Sequence, residues 1–119
     1  MKRTLLILMG LTTFACQAGD VTIVNAEARR TGEQLYSFNV TLEHADTGWD
    51  HYADQWQVLT QDQQVLGTRT LYHPHVEEQP FTRSLGNVKA PAGVTTVIIK
   101  ARDKVHGVSP QAYEVELPR

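Results

Sequence analysis

The chain has 119 residues, 11 basic and 13 acidic side chains, a formal net charge of −2 and a single cysteine. A chain of this length builds one domain, and the small acidic excess argues against a nucleic acid as partner. One thiol cannot pair within its own chain, so no intramolecular disulfide is expected.

The first eighteen residues have the pattern of an export signal. Lys2 and Arg3 give a basic start, and an uncharged, mainly apolar run extends from Leu5 to Ala15. This run is shorter than the roughly 20 residues that a membrane-spanning helix needs. We therefore predict an export signal at residues 1–18 and a mature domain at residues 19–119.

The end of this signal leaves two alternatives open. Residues 13–16, with the sequence Thr-Phe-Ala-Cys, fit a permissive bacterial lipobox, in which Cys16 becomes the acylated first residue. Cleavage by ordinary signal peptidase after Ala18 would instead discard Cys16. Both alternatives predict a periplasmic protein. The first also anchors it to a membrane, and Gln17 favours the outer membrane by analogy with bacterial sorting.

From residue 21 onward, apolar and polar residues alternate, which is the pattern of half-buried strands. The clearest strand runs from Tyr36 to Leu42, and two further stretches flank the polar turn 61–64 and predict a hairpin that contains Trp56. The predicted strands are 21–30, 36–42, 52–58, 65–73, 81–88, 97–102 and 113–117. We predict an all-β fold, a single seven-stranded antiparallel immunoglobulin-like β-sandwich of the fibronectin type III kind.

Three polar segments interrupt this pattern, at residues 47–54, 73–84 and 101–107. They supply the candidate ligand-binding or interaction residues Trp49, His51, Asp54, Arg83, Arg102 and Asp103. Their sequence blocks HYADQWQV, HPHVEEQPFTRS and ARDKVHG resemble a group of small uncharacterised exported proteins of Gram-negative bacteria. The resemblance implies an exported single-domain protein with an immunoglobulin-like fold, and it implies no activity.

The histidines of these segments also predict a metal site. His73 and His75 would leave the same face of an extended strand, about 6 to 7 Å apart at Cα. Together with Glu77 and His106 they would form a ligand set for zinc or copper(II). The competing interpretation is that these histidines form hydrogen bonds at strand ends.

Two aspartates occupy strand positions that alternate in step with the core residues, so their side chains should point inward. Asp54 and Asp103 would be tolerated there only with an arginine partner, such as Arg83 or Arg102, or with backbone donors. This interpretation explains the charges without any ligand.

The sequence contains no motif that predicts catalysis. We therefore expect a non-enzymatic binding or interaction module of the bacterial envelope, without a cofactor. Its partner would be an unknown envelope protein or a small ligand. The alternative is a periplasmic zinc or copper(II) binding protein that uses the His-Pro-His loop.

Overall fold

The computed structural model describes residues 20–119, so the predicted export signal and Cys16 lie outside the described residues. Among residues 20–119 there is no helix that could cross a bilayer. The regular structure of this part of the chain consists of eight strands: β1 (Thr22–Gly32), β2 (Leu35–Glu43), β3 (Ala53–Thr60), β4 (Val65–Thr70), β5 (Phe81–Lys89), β6 (Thr96–Asp103), β7 (Gly107–Val108) and β8 (Tyr113–Glu116).

The strands form two antiparallel sheets that pack as a sandwich. The first sheet has the order β1-β2-β5, and the second has the order β4-β3-β6, with β7 and β8 both paired to the outer edge of β6. This confirms the predicted all-β, immunoglobulin-like sandwich. All pairs of strands are antiparallel.

The predicted number of seven strands is wrong, because the last edge strand is interrupted. Gly107 adopts φ 73°, which glycine tolerates at no steric cost, and the chain turns back so that Gly107 pairs with Asp103 and Val108 with Arg102. Pairing stops after Val108 and resumes at Tyr113. The short strand β7 therefore lies between the predicted strands 97–102 and 113–117, where no strand was predicted.

The core lies between the sheets and follows the predicted alternation. Phe38, Val40 and Leu42 of β2 are buried, and they face the second sheet, whose inward residues include Ile99. Trp56 of β3 is fully buried within this cluster, as predicted. Burial of such side chains supplies the main driving force for sandwich formation.

The interruption between β7 and β8 fastens the start of β1 to the second sheet. The hydroxyl of Ser109 accepts a hydrogen bond from the backbone N–H of Val21 at 2.9 Å. The side-chain amide of Gln111 accepts a hydrogen bond from the N–H of Ile23 at 2.7 Å and donates one to the carbonyl of Ile23 at 3.0 Å. The Gln111 side chain thus pairs with Ile23 as the backbone of a neighbouring strand would. These contacts fix where the chain enters the domain.

Three loops and the start of the described chain meet at one end of the sandwich, which we call the loop end. In the register, Thr22 lies opposite Glu43, Leu42 opposite Phe81, and Ala53 opposite Asp103. The loops at residues 44–52, 71–80 and 104–106 therefore project in the same direction as Asp20. The loop end carries the polar segments that the sequence singled out.

The predicted strand 65–73 ends at Thr70, so His73 lies outside any strand. Residues 71–80 form an irregular loop, in which Pro74 has no N–H to offer to a strand ladder. The extended-strand geometry that we predicted for His73 and His75 is therefore wrong.

Candidate metal centre at the loop end

The centre of the loop end is the carboxylate of Asp103, at the end of β6, which is fully buried. Its Oδ1 accepts hydrogen bonds from the backbone N–H groups of Val105 at 2.8 Å and His106 at 2.6 Å. Burial would raise the pKa of Asp103, but these backbone hydrogen bonds, together with the imidazole of His106, outweigh it and hold the pKa below its usual value. Asp103 is thus a buried anion.

Three imidazoles surround this anion. His44 Nε2 lies 3.5 Å from Asp103 Oδ2, His51 Nε2 lies 3.6 Å from Oδ1, and His106 Nδ1 lies 3.1 Å from Oδ2. The rings of His44 and His51 meet edge to face with centroids 4.8 Å apart. The sequence predicted an arginine or backbone donors beside Asp103, and the structure places backbone donors and histidines there.

A second buried carboxylate, Asp46, orients His44. His44 Nδ1 forms a close hydrogen bond with Asp46 Oδ1, which also accepts from the N–H of Ala53 at 3.0 Å. Asp46 Oδ2 accepts from the N–H of His75 at 2.7 Å. In a neutral imidazole whose Nδ1 proton is donated to a carboxylate, Nε2 carries the lone pair, and a hydrogen bond of this kind on Nδ1 is typical of histidines that ligate metals through Nε2.

Sequence reasoning missed His44 and Asp46, although a signal for them exists. The inward parity of β2, at Phe38, Val40 and Leu42, continues beyond the strand to His44 and Asp46, and both are buried. Polar side chains at buried positions need hydrogen-bond partners, and His44 and Asp46 form a hydrogen bond with each other. The predicted strand ended before this continuation.

A tight turn holds His51 in place. The backbone carbonyl of His51 accepts a hydrogen bond from the N–H of Thr47, and the backbone N–H of His51 donates one to the carbonyl of Gly48. The φ of Gly48, 148°, favours glycine. The imidazole is about one-fifth exposed, yet its Nε2 is buried and has no hydrogen-bond partner in the described part of the chain. A buried, unpaired ring nitrogen is costly, so its presence calls for an explanation.

These side chains fit the donor set of a transition metal. His44, His51 and Asp103 each offer one ligand atom, and the three atoms lie within 4.8 Å of one another. Bonds of about 2.0 to 2.1 Å to a tetrahedral ion would place ligand atoms about 3.4 Å apart, so a contraction of the cluster would bring its three atoms to three corners of a tetrahedral site. Asp20, Asp103 and His106 form a second such group around the same carboxylate.

The predicted ligands His73, His75 and Glu77 belong to neither group. His75 stacks on Phe81, with ring centroids 3.9 Å apart, and its Nε2 lies 2.8 Å from Arg83 Nη2. Burial, followed by the charge of Arg83, lowers the pKa of His75, so its neutral ring accepts from the guanidinium. His73 and Glu77 are exposed, and His106 joins the Asp103 cluster instead.

The remaining predicted residues flank the cluster. Arg102 Nε and Asp54 Oδ1 form a half-buried ion pair at 3.1 Å, and Arg83 also reaches Glu78 at 3.3 Å. Trp49 is 63% exposed at the rim of the loop end. Of the predicted interaction residues, the structure therefore places His51 and Asp103 within the cluster, and the others around it.

Comparison with known proteins gives one informative relative. The chain is 39% identical over 97 residues to a protein of Halomicrobium mukohataei named "Putative lipoprotein", and the match covers 82% of this chain and 47% of that protein. The chain thus spans about half the length of this relative. No protein-family model matches the chain, and no solved structure matches it either. The resemblance to Gram-negative exported proteins stays a prediction.

Proposed function

We propose that the protein is an exported lipoprotein that binds a zinc or copper(II) ion between His44, His51 and Asp103. Export and anchoring are supported by the signal pattern that ends at Cys16 and by the name of the relative. The periplasm, with an anchor in the outer membrane, is the proposed location.

One observation carries the metal proposal. Two imidazole nitrogens, Nε2 of His44 and Nε2 of His51, converge on the buried Asp103 carboxylate, and Nε2 of His51 has no hydrogen-bond partner among residues 20–119. The Asp46 carboxylate holds His44 Nδ1, so His44 Nε2 is the ring nitrogen directed at Asp103. A nitrogen and oxygen set of this kind suits zinc or copper(II).

This proposal keeps the metal-binding alternative that the sequence raised but moves it to different residues. In the His-Pro-His loop, His75 Nε2 is occupied by Arg83, whereas His44 and His51 direct Nε2 atoms at a carboxylate. The competing candidate, an interaction module without a metal, would use the same loop end. We propose no catalytic step.

Isothermal titration calorimetry of the metal-stripped protein tests the proposal. Zinc or copper(II) should give a one-to-one transition, and His51→Ala should abolish it. His73→Ala is the matched control, because His73 is exposed and lies outside the cluster, and it should bind as the parent does. Absence of a one-to-one transition for both ions would end the metal proposal. Loss of binding in His73→Ala alone would return the site to the His-Pro-His loop.

The anchor needs a separate measurement. The intact mass of the mature protein should show a chain that begins at Cys16 and carries acyl groups. An unmodified chain that begins at Gly19 would refute the anchor and leave the metal site untouched.

A further inference from the structure

The loop end exposes several large apolar side chains. Five of the seven large hydrophobic residues that are exposed among residues 20–119 lie on its loops or on the adjoining strand β7. We call this group the apolar rim: Trp49, Tyr72, Val76, Val105 and Val108. At the opposite end, the described residues expose one such side chain, Val65, beside the turn between β3 and β4. The apolar surface is therefore concentrated at one end of the sandwich.

The chain enters the domain at this same end. Asp20 offers a carboxylate oxygen within 4.8 Å of ligand atoms of Asp103 and His106, so it lies against the cluster. The predicted lipid attachment residue, Cys16, is four residues earlier. Four residues span at most about 14 Å even when fully extended. An anchor at Cys16 would therefore hold the loop end, and not the far end, against the bilayer surface.

We propose that the apolar rim rests in the interface of the membrane that holds the acyl chains of Cys16, so that the metal site faces the phospholipid. This inference rests on the lipid anchor of the proposed function. The occupant of the rim is the phospholipid surface itself.

The chemistry of the rim suits a bilayer interface. Tryptophan and tyrosine favour the headgroup level, where their rings are shielded and their polar atoms remain hydrated. Lys104, whose Nζ lies 3.2 Å from the carbonyl oxygen of Trp49, adds a cation at this level. Glu77 and Glu78 are also exposed on the 71–80 loop, so the surface is not a basic patch. The contact is therefore apolar and does not require anionic lipid.

Tethering explains why so small a surface can stay on the membrane. A few side chains bury too little area to hold a protein on a bilayer from solution. An anchor four residues away converts the contact into an intramolecular one, at an effective concentration on the millimolar scale. The acyl chains then provide the affinity for the membrane, and the rim sets the orientation of the domain on it.

The two tryptophans of the chain allow a direct test, because Trp49 is exposed in the rim and Trp56 is fully buried in the core. The full-length protein, acylated at Cys16, is reconstituted into phosphatidylcholine vesicles that carry bromine on the upper part of the acyl chains. We expect bromine to quench the emission of Trp49. The Trp49→Phe variant, which emits only from Trp56, should show no quenching.

The outcomes separate the anchor from the orientation. Intact mass and vesicle flotation report on acylation, and quenching reports on the rim. Acylated protein that floats with the vesicles but shows no quenching would overturn the inference, as would equal quenching in Trp49→Phe. A chain without acyl groups would overturn both the anchor and this inference. Val105→Glu, which places a charge on an exposed side chain of the rim, should weaken the quenching of Trp49 without releasing the protein from vesicles.

Discussion

The contacts of Asp46 make it the residue whose removal should affect the loop end most. Its carboxylate is buried and accepts hydrogen bonds from the backbone N–H groups of Ala53 and His75 and from the ring of His44. One side chain thus joins the loop 44–52 to the loop 71–80 and to the start of β3. Asp46→Ala would leave two buried backbone donors and one imidazole without an acceptor.

The cost can be worked out from these contacts. A buried donor left unsatisfied costs about 1 to 3 kcal/mol, and hydrogen bonds to a charged group lie at the upper part of this range. Removal of the buried charge recovers part of the loss, so we expect Asp46→Ala to lower the free energy of unfolding by about 3 to 5 kcal/mol. Asp46→Asn keeps one oxygen, but its amide NH₂ must oppose one N–H, so about half of that cost should remain.

Urea denaturation of the metal-stripped protein measures both variants. Asp50→Ala is the matched control, because Asp50 is an exposed aspartate of the same loop, and it should stay within about 0.5 kcal/mol of the parent. If Asp46→Ala unfolds at the same urea midpoint as Asp50→Ala, the three contacts do not hold the loops together and the reasoning is wrong. Asp46→Asn should also weaken zinc or copper(II) binding by about 10- to 100-fold, because Asp46 orients a ligand.

Three further predictions concern metal, core and pH. Zinc or copper(II) at about 100 times its dissociation constant should stabilise the protein by about 2.7 kcal/mol, which a thermal melt with and without chelator would detect, and His51→Ala should remove the shift. Trp56→Ala should cost about 3 to 5 kcal/mol in urea denaturation, whereas Glu114→Ala, exposed on β8, should cost almost nothing. Burial and the charge of Arg83 lower the pKa of His75, so the unfolded chain takes up that proton first, and stability present above about pH 6.5 is lost as the pH falls below it. His75→Gln should flatten this loss in urea titrations on either side of about pH 6.5, and an unchanged pH dependence would contradict it.

The fold was predictable because its signal is local. Alternation of polar and apolar residues assigns each strand to a sheet face without knowledge of its partners, and it placed Trp56 in the core. Strand β7 could not be predicted in this way, because two residues carry no periodicity and their pairing depends on where β6 ends. Strand β4 ends at Thr70, opposite Gln55, although the predicted strand continued to His73.

The candidate site was predictable only in part. Asp103 was found because the inward parity of β6 runs through Val97, Ile99 and Ala101 to that position. The alternation of β2 also continues to the buried His44 and Asp46, but these two residues lie beyond the predicted end of that strand at Leu42. The spacing of His73 and His75 suggested a ligand pair, but Phe81 and Arg83 engage His75 through contacts that residue spacing cannot reveal.

The cluster lies between the two sheets, so a metal ion bound there would affect how the sheets are held together. Within residues 20–119 the two sheets share no paired strands, so their association depends on side chains: those of the core, and those of Ser109 and Gln111 at the start of β1. His44 follows the last residue of β2 in the first sheet, whereas His51 precedes β3 and Asp103 ends β6 in the second. An ion bound by these three residues would therefore join the sheets directly at the loop end, where the apolar core gives way to buried polar groups. Because the unfolded chain does not bring the three ligands together, the binding free energy of the ion would appear as resistance to separation of the sheets.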